Sequence, residues 1–209
     1  MAARTRNASR RGSQQRDPDS TRQALLGSAL ALFERLGYDA TSVQQIVDDA
    51  HRTKGAFYHH FESKEALLRA LHDEFIDHQL ERAHAVIDRD LPPDEMLREL
   101  VTEVLMEPLG VYRSEITVFL HEHRFLSDAA FAEIKLKRDE FENIVVRVIR
   151  RGMDTGVFKK VGTPQLVAFG VIGMCAWSYT WLEAKGKMSP REIGETYGDI
   201  LVKGLAVNG

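Results

Sequence analysis

Residues 41–64, TSVQQIVDDAHRTKGAFYHHFESK, constrain the fold of this 209-residue chain more than any other stretch. They divide into a short helix with an apolar face, a break, a second very short helix, and a third helix start at Ser63-Lys64. Val43, Ile46, Val47 and Ala50 recur at three- and four-residue spacing and so share one buried face, with Asp48 and Asp49 away from it. Thr41 and Gln44 have the look of a capping box, and Thr53 stands where an N-cap would open the next helix. The positive end of that helix would then face outward, ready for a phosphate. Phe57 and Phe61, four apart, turn to the core together, which leaves Tyr58, His59 and Lys64 outside as phosphate donors. Gly55 costs roughly 1 kcal/mol relative to alanine inside a helix, and close approach of the backbone to DNA rationalises it. His59 and His60 are adjacent, so they point about 100° apart on a helix and do not form a metal pair. Two helices at a sharp angle, the second small and covered in donors, make a helix-turn-helix, whose second helix enters the DNA major groove.

The residues on either side extend the pattern: Ala29-Leu30-Ala31-Leu32-Phe33, Leu36-Gly37-Tyr38 and Ala40-Thr41-Ser42-Val43 before it, Ser63-Lys64-Glu65-Ala66-Leu67-Leu68 after it. With Ile46, Ala50 and Thr53-Lys54-Gly55-Ala56-Phe57-Tyr58-His59-His60-Phe61, the segment Thr21 to Leu68 resembles the DNA-binding domain of the TetR family of bacterial transcriptional repressors. One departure stands in the turn, where the family usually has Gly and this chain has His51, a residue less suited to a left-handed backbone. Residues and resemblance together give a candidate DNA-binding set of Thr41, Thr53, Lys54, Gly55, Ala56, Tyr58, His59 and Lys64.

A net charge of −3 looks wrong for a DNA binder until the chain is split. Residues 1–64 hold 10 Lys+Arg against 7 Asp+Glu, and the remainder 18 against 24. What matters for affinity is the local charge that faces the phosphates. The acidic second part argues against an architectural protein that coats DNA, the alternative function in this class. An enzyme on a helical bundle is the other rival, but no His-Glu-x-x-His, phosphate-cradling glycine loop or Ser/His/Asp order stands out. The single cysteine, Cys175, permits no internal disulfide and suits a reducing cytoplasm. No apolar run is long enough to span a membrane, and the basic N-terminus lacks the apolar run of a secretory signal. Residues 1–19, with Arg4, Arg6, Arg10, Arg11 and Arg16, read as a disordered basic arm, either solubilising or reaching toward DNA.

Helical periodicity continues to the end, predicting an all-α chain of nine helices; the resemblance implies the TetR-like fold, and no cofactor or metal is expected. A first helix is expected from about Thr21 to Leu36, with Ser20 and Gln23 as a capping box and Gly37 as its stop. After the helix-turn-helix, one long helix runs from Lys64 to about Asp88, capped by Ser63. Further helices are expected from Asp94 to Pro108, about Val111 to His123, and about Ala129 to Thr155, stopped by Gly156. Thr163-Pro164 and Ser189-Pro190 start the last two, which end near Lys185-Gly186 and Leu205. Residues 20–66 then form the DNA-binding domain and 67–209 a ligand-binding and dimerisation domain. The helix of residues 64–88 joins them, so a push on its far end would move the helix-turn-helix.

Residues 151–158 resemble the turn before the family's last two helices, which usually pair across a two-fold axis as a four-helix bundle. The resemblance implies a homodimer through about Pro164–Ala184 and Pro190–Leu205. Gly170 and Gly173 would allow close approach, with Val167, Val171, Met174, Ile193, Tyr197, Ile200 and Leu201 supplying apolar area; these side chains also suit an intrachain core. Tyr112, Phe119, His123, Phe141, Trp177 and Trp181 are the candidate lining of a pocket for an apolar or amphipathic effector. Trp177 to Lys187 loosely resembles family members that sense acyl-CoA thioesters. The expected function is a ligand-responsive repressor that binds a palindromic operator as a homodimer and is released by a small molecule.

Overall fold

The computed structural model describes residues 18–183 and 186–207. The expected basic arm falls almost wholly outside these residues, as does the Ala184-Lys185 end expected for the eighth helix. Nine α-helices make up the described chain: α1 (Pro18–Leu36), α2 (Val43–Asp49), α3 (Lys54–His60), α4 (Lys64–Ile87), α5 (Pro93–Glu99), α6 (Arg113–Glu122), α7 (Asp128–Asp154), α8 (Pro164–Ala176) and α9 (Pro190–Leu205). No strand occurs among the described residues; one isolated antiparallel bridge joins Phe158 to Ala206.

Local chemistry sets the boundaries. Ser63, Ser127, Thr163 and Ser189 each accept a backbone N–H three residues on, which satisfies an orphan donor at a helix start. Gly37 and Gly156 end α1 and α7 with φ of +84° and +74°, a conformation that glycine adopts without steric penalty. Four expectations are corrected. The capping box of α2 forms one residue later than predicted: Ser42 accepts from the Gln45 N–H at 3.2 Å and Gln45 Oε1 accepts from the Ser42 N–H at 2.8 Å. Thr41 instead donates its hydroxyl to the Gly37 carbonyl. The helix α1 begins at Pro18, so Ser20 lies inside it rather than at its cap. The helix expected over 94–108 changes winding: α5 widens into a π segment, Leu100–Met106, then tightens into a 3₁₀ turn, Glu107–Gly110. Pro108 has no N–H to donate and its ring excludes a regular continuation. Finally, α8 stops at Ala176 and a 3₁₀ turn, Trp177–Thr180, follows. There Thr180 donates its hydroxyl to the Trp177 carbonyl and competes with the helical ladder.

Two hydrophobic cores result. The first joins α1, α2, α3 and the start of α4 with Val118 and Phe119 of α6, Leu126, and Ala130 and Ile134 of α7. The second joins the rest of α4 with α5, the π segment, α7, α8 and α9. The 24 residues of α4 reach about 36 Å at 1.5 Å per residue and belong to both cores. Its outer side is tied to α7 along most of its length, by Glu65 to the Ser127 N–H, Arg69 to Glu133, Lys137 to Asp73 and Asp77, and His84 to Glu140. The helix-turn-helix is therefore packed into α6 and α7, not hung from α4 alone.

Candidate nucleic-acid interface and effector cavity

The α2–α3 unit is fixed from inside. Ile46 and Val47 are buried on α2, and Phe57, fully buried, anchors α3. Between them His51 holds a left-handed φ of +53°, the conformation for which glycine is better suited. Thr53 caps α3 by accepting from the Ala56 N–H at 3.1 Å. With Phe57 pinned inward, helical geometry leaves Thr53, Lys54, Gly55, Tyr58 and His59 exposed, and Ala56 half-buried. Tyr58 is 56 % exposed. A Cβ added at Gly55 would meet only the Thr53 Oγ1, at 3.8 Å. Nothing among the described residues requires a glycine there.

Two predicted members of the set do not face outward. Thr41 is 1 % exposed, its hydroxyl spent on the Gly37 carbonyl. Lys64 donates from Nζ to the carbonyls of Tyr38 and Thr41, both at 2.7 Å, and lies 4.0 Å over the Tyr38 ring. Burial pulls its pKa down and Asp39 partly opposes this. Lys64 thus staples the start of α4 to the α1–α2 loop. Periodicity could not reveal this, because the carbonyls lie 23 and 26 residues away in sequence.

A cavity of about 110 Å³ opens between α4, α6, α7, α8 and the π segment. Phe119 and Phe141, both predicted, line it. The other four predicted residues do not. Tyr112 packs on Phe75 and His78 beside it. His123 turns its Nδ1 to the last carbonyls of α6, those of Phe119 and Leu120. Trp177 and Trp181 stand outside, 65 % and 47 % exposed; Trp181 borders a separate depression with Met188 and Tyr197. Lining residues that the sequence did not single out include His72, Gln79, Arg138 and Glu142. His72 and Gln79 share the α4 stripe with Phe75 and Ile76, so polar residues on an apolar face were the available signal. Neither ring nitrogen of His72 has a hydrogen-bond partner. Burial first, then the charges of Arg138, Lys137 and His123, push its pKa down to about 3, so the ring is neutral.

The apolar surface of α8 and α9 divides in an unexpected way. Val171 and Ile193 are buried, and Val167, Met174, Tyr197 and Leu201 pack against the chain's own core. Of the residues predicted to supply interface area, Ile200 alone is exposed; Leu166, Phe169 and Trp177 join it outside. Cβ atoms at Gly170, Gly173 and Gly204 would meet nothing within 4 Å.

Among the described residues no helix is long and apolar enough to cross a membrane. Residues 25–71 match the sequence model described as "Bacterial regulatory proteins, tetR family", and 90–205, more than half the chain, match "Tetracyclin repressor-like, C-terminal domain". The chain is 28% identical over 193 residues to the HTH-type transcriptional repressor KstR2 of Mycobacterium tuberculosis (strain ATCC 25618 / H37Rv), covering 91% of this chain and 96% of that one. The solved structure of the Mycobacterium tuberculosis ketosteroid transcriptional regulator KstR2 superposes with a TM-score of 0.81 at 27% identity, covering 88% of this chain and 94% of that one. The structure of AibR in complex with isovaleryl coenzyme A and operator DNA superposes with a TM-score of 0.74 at 26% identity, covering 89% and 98%. With the helix-turn-helix, the second helical domain and both family matches in agreement, the chain belongs to the TetR family and is a ligand-responsive, DNA-binding transcriptional repressor.

Proposed function

We propose that the chain works as a homodimer, seating α3 of each protomer in successive major grooves of a palindromic operator and leaving when a small molecule fills the cavity. The outward face of α3, with Phe57 anchored behind it and donors in front, supports this most directly. Thr53, Lys54, Gly55, Ala56 and Tyr58 approach base edges, and Tyr58 and His59 hold phosphates. Lys64 and Thr41 act from behind by fixing the α1–α2 loop. Dimerisation uses the outer face of α8 and α9, where Leu166, Phe169, Trp177 and Ile200 would otherwise leave apolar surface in water. Open glycines along that face let two helices come close. Two heads about 34 Å apart then match operator half-sites one helical turn apart.

The cavity lies against α4, and α4, α6 and α7 share a core with α3, so a ligand that favours one arrangement of these helices shifts both heads. A coupling of about 1–3 kcal/mol suffices for induction. An acyl-CoA thioester or another apolar, amphipathic compound suits the lining; the likeness to AibR, solved with isovaleryl coenzyme A, supports that class. The site of action is the cytoplasm, where the operator is. A gel shift against the DNA upstream of the chain's own gene tests the proposal. A sharp, salt-sensitive, sequence-specific shift is expected, and Tyr58→Ala weakens it on every sequence bound. Equal binding to any duplex would favour an architectural protein, and unchanged affinity in Tyr58→Ala would contradict its phosphate contact.

A further inference from the structure

His72 is the one histidine among the described residues with both ring nitrogens buried and unpartnered, and it is 4 % exposed. It lines the cavity and lies flat on Phe119, with ring centroids 3.5 Å apart and planes at 16°. Phe119 also belongs to the core of the helix-turn-helix. On the same cavity wall, Arg138 places its guanidinium carbon 5.3 Å from the Phe119 ring. Its neighbours on α7, Lys135 and Lys137, are paired with carboxylates, whereas Arg138 has no ion pair among the described residues, not even with Glu142 one turn on. The cavity thus offers an apolar enclosure, one cation without a carboxylate partner and one neutral ring whose nitrogens lack hydrogen bonds.

From these groups we infer that the effector is a short apolar acid bearing a hydroxyl or oxo oxygen on its chain, with that oxygen held by His72 and its acidic end by Arg138. The inference rests on the cavity being the effector site of the repressor. A neutral imidazole carries one N–H donor and one lone pair, so a hydroxyl satisfies either nitrogen and an oxo group takes the N–H. Buried polar atoms without partners are costly, so a ligand oxygen that reaches them gains more than it would on an open surface. The ring must turn on its side-chain bonds to meet that oxygen, and doing so alters its stack on Phe119. Recognition and the helix-turn-helix core are therefore linked through one contact. The acid could arrive free or as a thioester, whose carrier would lie outside the cavity; both present the same substituted chain.

The test is calorimetric titration of the full chain with hexanoate, 3-hydroxyhexanoate and the coenzyme A thioesters of both. In whichever form binds, the hydroxylated acid is expected to bind about tenfold more tightly, the worth of one buried hydrogen bond. His72→Phe keeps the stack and removes the nitrogens, so it should erase that preference. Arg138→Gln should weaken both acids. His72→Phe should also raise Tm, because two unsatisfied polar atoms are gone. Equal affinity for the two acids in the wild type, a preference that survives His72→Phe, or binding of none of the four compounds would overturn the proposal. So would a fall in Tm in both His72→Phe and His72→Leu, since the ring would then be kept for stability. A gel shift on the same preparations reports separately on DNA binding, so loss of the repressor function and loss of this ligand class give different results.

Discussion

Gly55→Ala separates folding from DNA binding, because the two should move in opposite directions. Gly55 is the second residue of α3, with helical backbone and no positive φ. A Cβ there would find the Thr53 Oγ1 at 3.8 Å and nothing nearer, an ordinary contact that displaces no atom. Alanine also restricts the unfolded chain more than glycine does, so the substitution should stabilise the protein by about 0.5–1 kcal/mol. For a chain of this length that is a rise in Tm of roughly 1–4 °C. On DNA the same methyl would project from the exposed side of α3, toward a base edge or sugar. Displacing the helix enough to lose one or two contacts costs about 1–3 kcal/mol, or roughly tenfold to a hundredfold in affinity. Thermal unfolding and fluorescence anisotropy with an operator fragment measure the two quantities on one preparation. A Tm that rises while DNA affinity stays unchanged would refute the close approach of this backbone to DNA. A fall in Tm would refute the claim that the chain has room for the methyl.

Three variants probe other parts of the molecule. Leu166→Asp combined with Ile200→Asp places charges on the outer face of α8 and α9, and size-exclusion chromatography with light scattering should show a shift from twice the chain mass to the chain mass; a persistent dimer would move the interface elsewhere. Gly152→Ala forces a Cβ to 2.0 Å from the buried Phe158 ring, so urea denaturation should show a loss of about 1–3 kcal/mol or more, and an unchanged midpoint would mean that Phe158 relocates freely. His72 has a folded pKa of about 3 against an ordinary 6.5, so the unfolded chain takes up a proton that the folded chain refuses. Proton uptake by the unfolded ring leaves stability untouched above pH 6.5 and lowers it as pH falls toward 3, with about 2 kcal/mol gone between pH 7.5 and 5. His72→Phe should remove about that much from the wild-type pH dependence, with the other seven histidines common to both proteins; parallel stability curves would show that the ring is not held neutral.

Much of the fold is written in short-range pattern. The spacing of Ile46, Val47 and Ala50, of Phe57 and Phe61, and of Leu67, Leu68 and Leu71 specifies which side of α2, α3 and α4 turns inward, and all of these residues are buried. Ser63, Thr163-Pro164 and Ser189-Pro190 mark helix starts because a cap satisfies backbone groups two or three residues away. These interactions close within one or two turns, so local sequence carries them, and with them the assignment of the helix-turn-helix.

What surrounds a side chain from distant segments was not legible in this way. Thr41 and Lys64 read as exposed donors, yet one is buried and the other clasps carbonyls of the α1–α2 loop. On α8, Leu166, Val167, Phe169, Val171 and Met174 are apolar on every side, so no stripe distinguishes the face against the core from the face left open. Trp177 and Trp181 looked like pocket aromatics and stand outside, while His72 and Arg138 looked ordinary and line the cavity. The sequence by itself determined the nine helical segments, most of their starts and the helix-turn-helix, because those depend on neighbours along the chain; the caps of α1 and α2, the winding after Glu99 and the end of α8 fell elsewhere than the pattern placed them. The tertiary structure alone decided which polar groups lack partners, where the cavity lies and which apolar face remains open, because each of these depends on what another helix brings opposite.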